Sequence, residues 1–215
     1  MQHVTLTLLI VVANVLGAGM AFPQALRLAR TRRTDGVSGV WAGISIAMNG
    51  WWLVYGVAER LWGLVPTSAV AAVIYVFIAV TIVRVDGGAA RRSTVGRLVL
   101  GLGLGTAPLP FLALGGWPVA GIAIGLGYGL QLLPAVIAAY RSRELGGIAP
   151  GTWIMAWIES AIWVVYGVVV VDPALLVGGT SGVVFPTLLL ARLAVTGHRP
   201  FRLPARVTRP AWSIG

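Results

Sequence analysis

The sequence predicts an all-α integral membrane protein with seven transmembrane helices, arranged as two parallel three-helix bundles joined by a linker helix (3+1+3). Three observations predict this fold class. Of the 215 residues, 58% are hydrophobic and only 10% are charged, and the mean hydropathy is +0.89. Seven apolar stretches have roughly the 20-residue length of a helix that crosses a bilayer. Finally, residues 23–57 recur as residues 134–168 with a constant offset of 111.

The seven predicted spans follow from the distribution of charge. A soluble domain carries roughly 25% charged residues, so a chain with this few charges must face lipid over most of its exterior. Glu159 is the only acidic residue inside any span, and the only basic one is Arg192 at the end of the seventh. In chain order the spans are residues 6–26, 40–57, 64–83, 98–114, 119–139, 152–171 and 174–194.

The arginines predict how the spans are oriented. Fifteen of the sixteen follow spans one, three, five and seven, and Arg60 alone lies on the other side. Because basic loops stay in the cytoplasm, we expect the N-terminus outside and the C-terminus in the cytoplasm. The chain is thus predicted to be a multi-pass protein of the cytoplasmic (plasma) membrane.

The internal repeat predicts the domain organisation. Spans one to three recur as spans five to seven, and span four restores the orientation that three crossings would invert. We expect a first repeat at 1–85, a loop and linker helix at 86–116, a second repeat at 117–196 and a basic cytoplasmic tail at 197–215. The nine identities among the 35 aligned positions are Pro23/Pro134, Arg30/Arg141, Arg32/Arg143, Gly36/Gly147, Trp52/Trp163, Val54/Val165, Tyr55/Tyr166, Gly56/Gly167 and Val57/Val168.

The residue inventory argues against several classes of function. The chain has no cysteine and only two histidines, His3 and His198, so we expect no metal site and no cofactor. No nucleophile–base set can be assembled, which argues against an enzyme. The net charge of +10 lies in clusters between spans and not on one face, so we expect lipid and no nucleic acid as a partner. A small-molecule substrate is the other expected partner, and the oligomeric state is left open.

Two motifs resemble a known family. Phe-Pro-Gln at 22–24 and Trp-Leu-Val-Tyr-Gly at 52–56 have counterparts in Leu-Pro at 133–134 and Trp-Val-Val-Tyr-Gly at 163–167. This pattern resembles the PQ-loop repeat of the SWEET-type (MtN3/saliva) transporter superfamily. The resemblance implies two triple-helix bundles around a central pathway, and facilitated movement of a small solute, usually a sugar, by alternating access. Relatives in the wider superfamily carry cystine or basic amino acids with protons, or act as receptors.

The resemblance implies that Trp52 and Trp163 face the substrate from opposite bundles. Aromatic faces can stack on the apolar face of a sugar ring. The alternative is a place in the tryptophan belts at the membrane surfaces. In sugar-carrying members an asparagine in each third helix accompanies these tryptophans, whereas this chain has Thr67 or Ser68 and Gly179 or Thr180 nearby.

Paired prolines predict a hinge or gate. Pro23 and Pro134 occupy equivalent places in spans one and five, where proline removes a backbone donor and kinks a helix. Gln24 completes the motif, and its equivalent is Ala135. A fixed bend without motion is the alternative.

Polar residues within the spans are further candidates for substrate binding. Asn49 shares a helical stripe with Trp52, and Ser160 shares the equivalent stripe with Trp163. Because polar groups avoid lipid, these side chains should point inward. Asn14 in span one has the same character. All three could instead fasten one helix to another.

Glu159 breaks the symmetry of the repeat, since Met48 holds its place in the first half. A charge near the bilayer centre costs on the order of 3 kcal/mol, so such a residue usually faces an aqueous cavity or a partner. We expect Glu159 to line the pathway and to bind substrate or a proton. The alternative is a protonated carboxyl group bonded to another helix.

Together these features predict a carrier for a small polar solute, with a sugar as the favoured class and facilitated diffusion as the mode. Two alternatives stay open. One is a proton-coupled permease for an amino acid or metabolite that uses Glu159. The other is a membrane receptor or interaction protein without transport.

Overall fold

The computed structural model describes residues 2–32, 34, 37–141 and 150–196. Over these ranges the chain forms seven α-helices and no strand. The helices are α1 (Gln2–Thr31), α2 (Gly39–Ala58), α3 (Val65–Val85), α4 (Gly88–Leu104), α5 (Leu109–Arg141), α6 (Pro150–Val170) and α7 (Pro173–Val195). The prediction of an all-α chain with seven helices is confirmed.

Five of these helices are long and apolar enough to cross a membrane: α1 from Val4, α3, α5, α6 and α7. Helix α2 has 20 residues, but tryptophans, glycines, Ser45 and Asn49 lower its hydropathy. Ser45 is fully buried, so part of this polarity faces protein and not lipid. Helix α4 has only 17 residues and carries three arginines, Arg91, Arg92 and Arg97.

The predicted fourth span, residues 98–114, is wrong in its position. Helix α4 begins ten residues earlier and ends at Leu104, because arginines that were assigned to a loop are helical. Residues 109–115 instead open α5, which breaks at Gly116 (φ 66°, ψ −161°) before it continues. Pro108 and Pro110 favour this division, since proline is accepted in a first helical turn but not in a helix interior.

The two repeats pack in the same way. In each bundle the last helix lies between the other two, so that α3 contacts α1 and α2, and α7 contacts α5 and α6. Across the bundles α1 packs on α6 and α2 packs on α5. Helix α1 is the equivalent of α5, and α2 is the equivalent of α6. The two contacts are therefore related by a pseudo-twofold axis between the repeats.

Among the seven described helices, α4 packs only on α2 and α3 of the first bundle. Its approach to α2 depends on glycine, because a Cβ atom at Gly101 would overlap the Val40 carbonyl oxygen. The Trp51 indole Nε1 also donates a 2.8 Å hydrogen bond to the Gly105 carbonyl oxygen just beyond α4. The linker therefore belongs structurally to the first repeat.

The connections between α2 and α3 and between α6 and α7 share one backbone design. Arg60 and Val171, which are 111 positions apart, both have a φ of 57°. The next residue in each repeat donates its backbone N–H back to a helix glycine, Leu61 to Gly56 at 2.7 Å and Asp172 to Gly167 at 2.9 Å. The offset of 111 therefore relates equivalent backbone conformations as well as equivalent residues.

The core differs between the two ends of the molecule. We call the end with the α2–α3 and α6–α7 connections the loop end, and the opposite end, near Arg30 and Arg141, the arginine end. At the loop end a single cluster combines buried residues of both bundles, including Tyr55, Leu64, Tyr166 and Leu175. Toward the arginine end each bundle has its own cluster, around Leu28 in the first and Leu189 in the second. The bundles are therefore joined at the loop end and have separate cores at the arginine end.

Candidate functional site

A central cavity of about 340 Å³ lies between the two bundles. Its walls come from the three helices of each repeat, together with Leu64 just before α3, and α4 contributes none of the lining. This volume is at the lower end of the range for pockets that bind small molecules.

The lining of the cavity follows the sequence repeat. Of its 26 lining residues, 22 form eleven pairs at the offset of 111, so the pseudo-twofold axis passes through the cavity. The pairs are Gly17/Tyr128, Met20/Gln131, Ala21/Leu132, Gln24/Ala135, Trp41/Thr152, Met48/Glu159, Asn49/Ser160, Trp52/Trp163, Leu64/Leu175, Thr67/Gly178 and Ser68/Gly179.

Trp52 and Trp163 are both in the lining. Each indole makes an edge contact with the tyrosine three residues later, Trp52 with Tyr55 at 6.1 Å and Trp163 with Tyr166 at 6.0 Å between ring centroids. The Trp52 ring reaches the second bundle, where a Cβ atom at Gly178 would lie 2.9 Å from its Cζ2 atom. The lipid-belt alternative therefore does not describe these two residues, whereas Trp62 is 63% exposed.

Glu159 lies in the cavity wall and is 8% exposed. Its Oε1 atom accepts a 3.0 Å hydrogen bond from the Trp163 indole one turn away. Helix α1 leaves room for the carboxyl group at Gly17, where a Cβ atom would come within 2.5 Å of Glu159 Oε1 and 2.7 Å of Thr67 Oγ1. The missing side chain of Gly17 is thus what lets the carboxyl group fit between the bundles.

The polar side chains beside Glu159 differ in how many hydrogen bonds they make. Asn49 lines the cavity and donates a 2.8 Å hydrogen bond to the Ser45 carbonyl oxygen. Gln131 donates a 2.7 Å hydrogen bond to Ser45 Oγ, which links α5 to α2 across the two bundles. Ser160 Oγ is buried against α7, where a Cβ atom at Gly182 would overlap it, and it has no hydrogen-bond partner among the described residues.

The remaining candidates lie at different places. Asn14 is not among the lining residues; its Nδ2 atom donates to the carbonyl oxygens of Ile10 at 2.7 Å and Gly63 at 2.9 Å. Pro23 and Pro134 are exposed on the outer faces of α1 and α5, outside the lining. Both helices continue through their proline, and the residue that follows each, Gln24 and Ala135, does line the cavity.

One contact at the loop end was not identified from the sequence. The buried Tyr55 hydroxyl of the first bundle donates a 2.6 Å hydrogen bond to Asp172 Oδ2 at the start of α7. The equivalent Tyr166 crosses in the opposite direction, and its ring packs against Gly63 of the first bundle. Identity of the two tyrosines across the repeat was the available signal, but it did not indicate their partners.

Comparisons with known proteins identify the fold. No family model matches the chain, and no curated protein matches it by sequence. Among solved structures it is similar to a eukaryotic SWEET transporter determined at 3.7 Å resolution, with a TM-score of 0.70 and 17% sequence identity. The match covers 91% of this chain and 100% of the other. The chain therefore has the SWEET fold, as its sequence motifs predicted.

Proposed function

We propose that this chain is a membrane carrier that moves a small polar solute through the central cavity by alternating access. The observation that carries the proposal is the cavity itself, whose walls consist mostly of equivalent residues from two parallel repeats. Carriers often bind their substrate at such a junction between structural repeats. The shared fold with a SWEET transporter supports the same conclusion.

The difference in core packing between the two ends supports a conformation in which the cavity is closed at the loop end. There the bundles share one cluster of buried residues and the Tyr55–Asp172 hydrogen bond. Opening this end would require that contact to break while the separate cores at the arginine end come together. Pro23 and Pro134 would act as hinges in this movement, since each precedes a lining residue. From the arginine distribution, we place the loop end outside and the arginine end in the cytoplasm of a cell with this protein in its plasma membrane.

A sugar is the substrate class that the family resemblance favours, carried by facilitated diffusion. Trp52 and Trp163 would stack on the ring, and Asn49 and Ser160 would bond to hydroxyl groups. Asn14, which fastens α1 to the α2–α3 connection, would act on this site only indirectly.

A second candidate is a proton-coupled permease for an amino acid or other metabolite. Glu159 favours it, because this carboxyl group lies in the lining of a membrane cavity and has no equivalent in the first repeat. Its protonation would then accompany transport.

Flux in proteoliposomes tests the proposal. Uptake of radiolabelled solutes should saturate, should be accelerated by unlabelled solute inside, and should fall by about tenfold or more in Trp52→Ala, since an aromatic contact is worth roughly 1 kcal/mol beyond the buried area. The matched control Trp62→Ala, outside the cavity, should retain wild-type flux. Saturable binding without flux of any bound solute would instead favour a receptor.

A further inference from the structure

We infer that the solute carries an ammonium group, and that the Glu159 carboxylate in the cavity wall binds it. This inference rests on the proposed carrier function and narrows the solute class from a neutral sugar to a small organic amine or amino-substituted polyol. We call this carboxylate and the part of the cavity beside it the ammonium subsite.

The first argument is the uncompensated carboxyl group of Glu159. Among the lining residues, all of which lie in the described part of the chain, there is no arginine or histidine. The lining side chains on neighbouring helices are neutral, among them Thr67 and Tyr75 on α3 and Tyr128 on α5, and the neutral Trp163 bonds to Glu159 from one turn along α6. A carboxylate held in such a place needs a cation from elsewhere.

The second argument is the unused hydrogen-bonding capacity of Glu159 itself. Its Oε1 atom accepts the Trp163 indole, and no group in the described part of the chain donates to Oε2. An ammonium group has three donors and no acceptor, so it can bond to Oε2 and neutralise the carboxylate at the same time.

The third argument is the aromatic surroundings. Tyr75, Tyr128 and Trp163 line the same cavity as Glu159, and the Trp163 indole bonds to its Oε1 atom. Aromatic rings attract cations, and cavities lined by several of them are typical of sites that recognise ammonium ligands. A neutral sugar would use the rings but would leave the carboxylate unpaired.

The repeat makes the subsite one-sided. At the positions equivalent to Glu159 and Ser160 the first bundle has Met48 and Asn49, which supply no charge. A bound solute would therefore place its ammonium group toward α6 and the rest of the molecule toward Asn49 and Trp52. The cavity would hold the solute in one orientation despite its twofold plan.

The chain lacks cysteine, so one engineered thiol can report the charge of the cavity without knowledge of the solute. Two separate variants carry this thiol, Asn49→Cys and Ala135→Cys, and both substitutions are at lining positions. The probes are two methanethiosulfonate reagents of similar size, one with a trimethylammonium and one with a sulfonate group, and their labelling rates are divided by those for a free thiol.

The cationic reagent should label both cysteines faster than the anionic one by about tenfold or more, because a charged cleft concentrates ions of opposite sign. Glu159→Gln should reduce this preference to near unity, and the matched control Glu59→Gln, an exposed carboxylate at the end of α2, should leave it unchanged. In the background that retains Glu159, ethanolamine should slow labelling, whereas its uncharged isostere propan-1-ol should not.

Equal labelling by the two reagents, or equal protection by ethanolamine and propan-1-ol, would overturn the inference and would leave Glu159 as a protonated group. Labelling requires no flux, so the two proposals fail separately. A cation-selective cavity with no transport of any solute contradicts the carrier function alone, and transport that is indifferent to Glu159→Gln contradicts the ammonium subsite alone.

Discussion

The Tyr55 hydroxyl and Asp172 Oδ2 lie 2.6 Å apart and join the two bundles across 117 positions of the sequence. Asp172 has a second task, since its Oδ1 atom accepts a 2.8 Å hydrogen bond from the Leu175 backbone N–H and caps α7. One carboxyl group thus fixes the start of α7 and holds the loop end closed.

Tyr55→Phe should favour opening of the loop end. A hydrogen bond to a charged group contributes roughly 1.5–3 kcal/mol, so its loss should increase the open population by about tenfold or more. The measurement is the rate at which a water-soluble thiol reagent labels Leu64→Cys, a buried lining residue at this end. Tyr140→Phe is the matched control, because its hydroxyl bonds to Leu188 at the arginine end. Equal labelling rates in all three proteins would refute the role of Tyr55.

Substitutions of Asp172 should separate its hydrogen bond to Tyr55 from its capping of α7. Asparagine is as good an N-cap residue as aspartate, so Asp172→Asn should lose mainly the charged bond from Tyr55. Asp172→Ala should also lose the cap and be less stable than Asp172→Asn by about 1 kcal/mol. Denaturation in detergent micelles measures the difference, and equal stability of the two variants would argue against the cap.

Gly17→Ala should damage the site, although alanine is normally the better helix residue. The added methyl group would meet Glu159 Oε1 and Thr67 Oγ1, so we expect a less stable protein and loss of the cation preference at Asn49→Cys. Gly19→Ala, two residues away, meets no atom within 4 Å and should raise stability by about 0.5–1 kcal/mol. If the two alanine variants behave alike, Gly17 does not make room for the carboxyl group.

Val171→Gly should stabilise the protein by about 1 kcal/mol. Val171 has a φ of 57°, a conformation that costs a residue with a Cβ atom roughly 1–2 kcal/mol, and it is 82% exposed, so little packing is lost. Val168→Gly, an exposed position inside α6, should instead destabilise by a similar amount. A rise in thermal midpoint for the first and a fall for the second would agree with this assignment, and a fall for both would contradict it.

Much of the fold could be predicted because lipid imposes a simple rule on helix length and polarity. The repeat could be placed because Pro23 and the six-residue Trp-x-Val-Tyr-Gly-Val motif at 52–57 kept their spacing in the second half, and the cavity lining follows that same offset. The fourth span was misplaced because a hydropathy pattern excludes arginines from predicted spans, whereas Arg91, Arg92 and Arg97 lie on α4.

The site was only partly predictable. Trp52, Trp163, Asn49, Ser160, Glu159 and Gln24 line the cavity, since polar or aromatic character on an inward helix face is visible in the sequence. Asn14 shows the limit of that argument, because its amide satisfies the backbone of Ile10 and Gly63 instead. The partner of Tyr55 was hidden because the position equivalent to Asp172 is Leu61, so comparison of the repeats gave no hint of it.

The central claim is that the bundles part at the loop end around a fixed cavity, and a distance measurement tests it most directly. Spin labels at Glu59→Cys and Val170→Cys would sit at equivalent exposed positions on opposite bundles of an otherwise cysteine-free chain. In lipid nanodiscs, pulsed dipolar spectroscopy should resolve two distances, and Tyr55→Phe should shift the population toward the longer one. A single distance that Tyr55→Phe leaves unchanged would contradict alternating access in this protein.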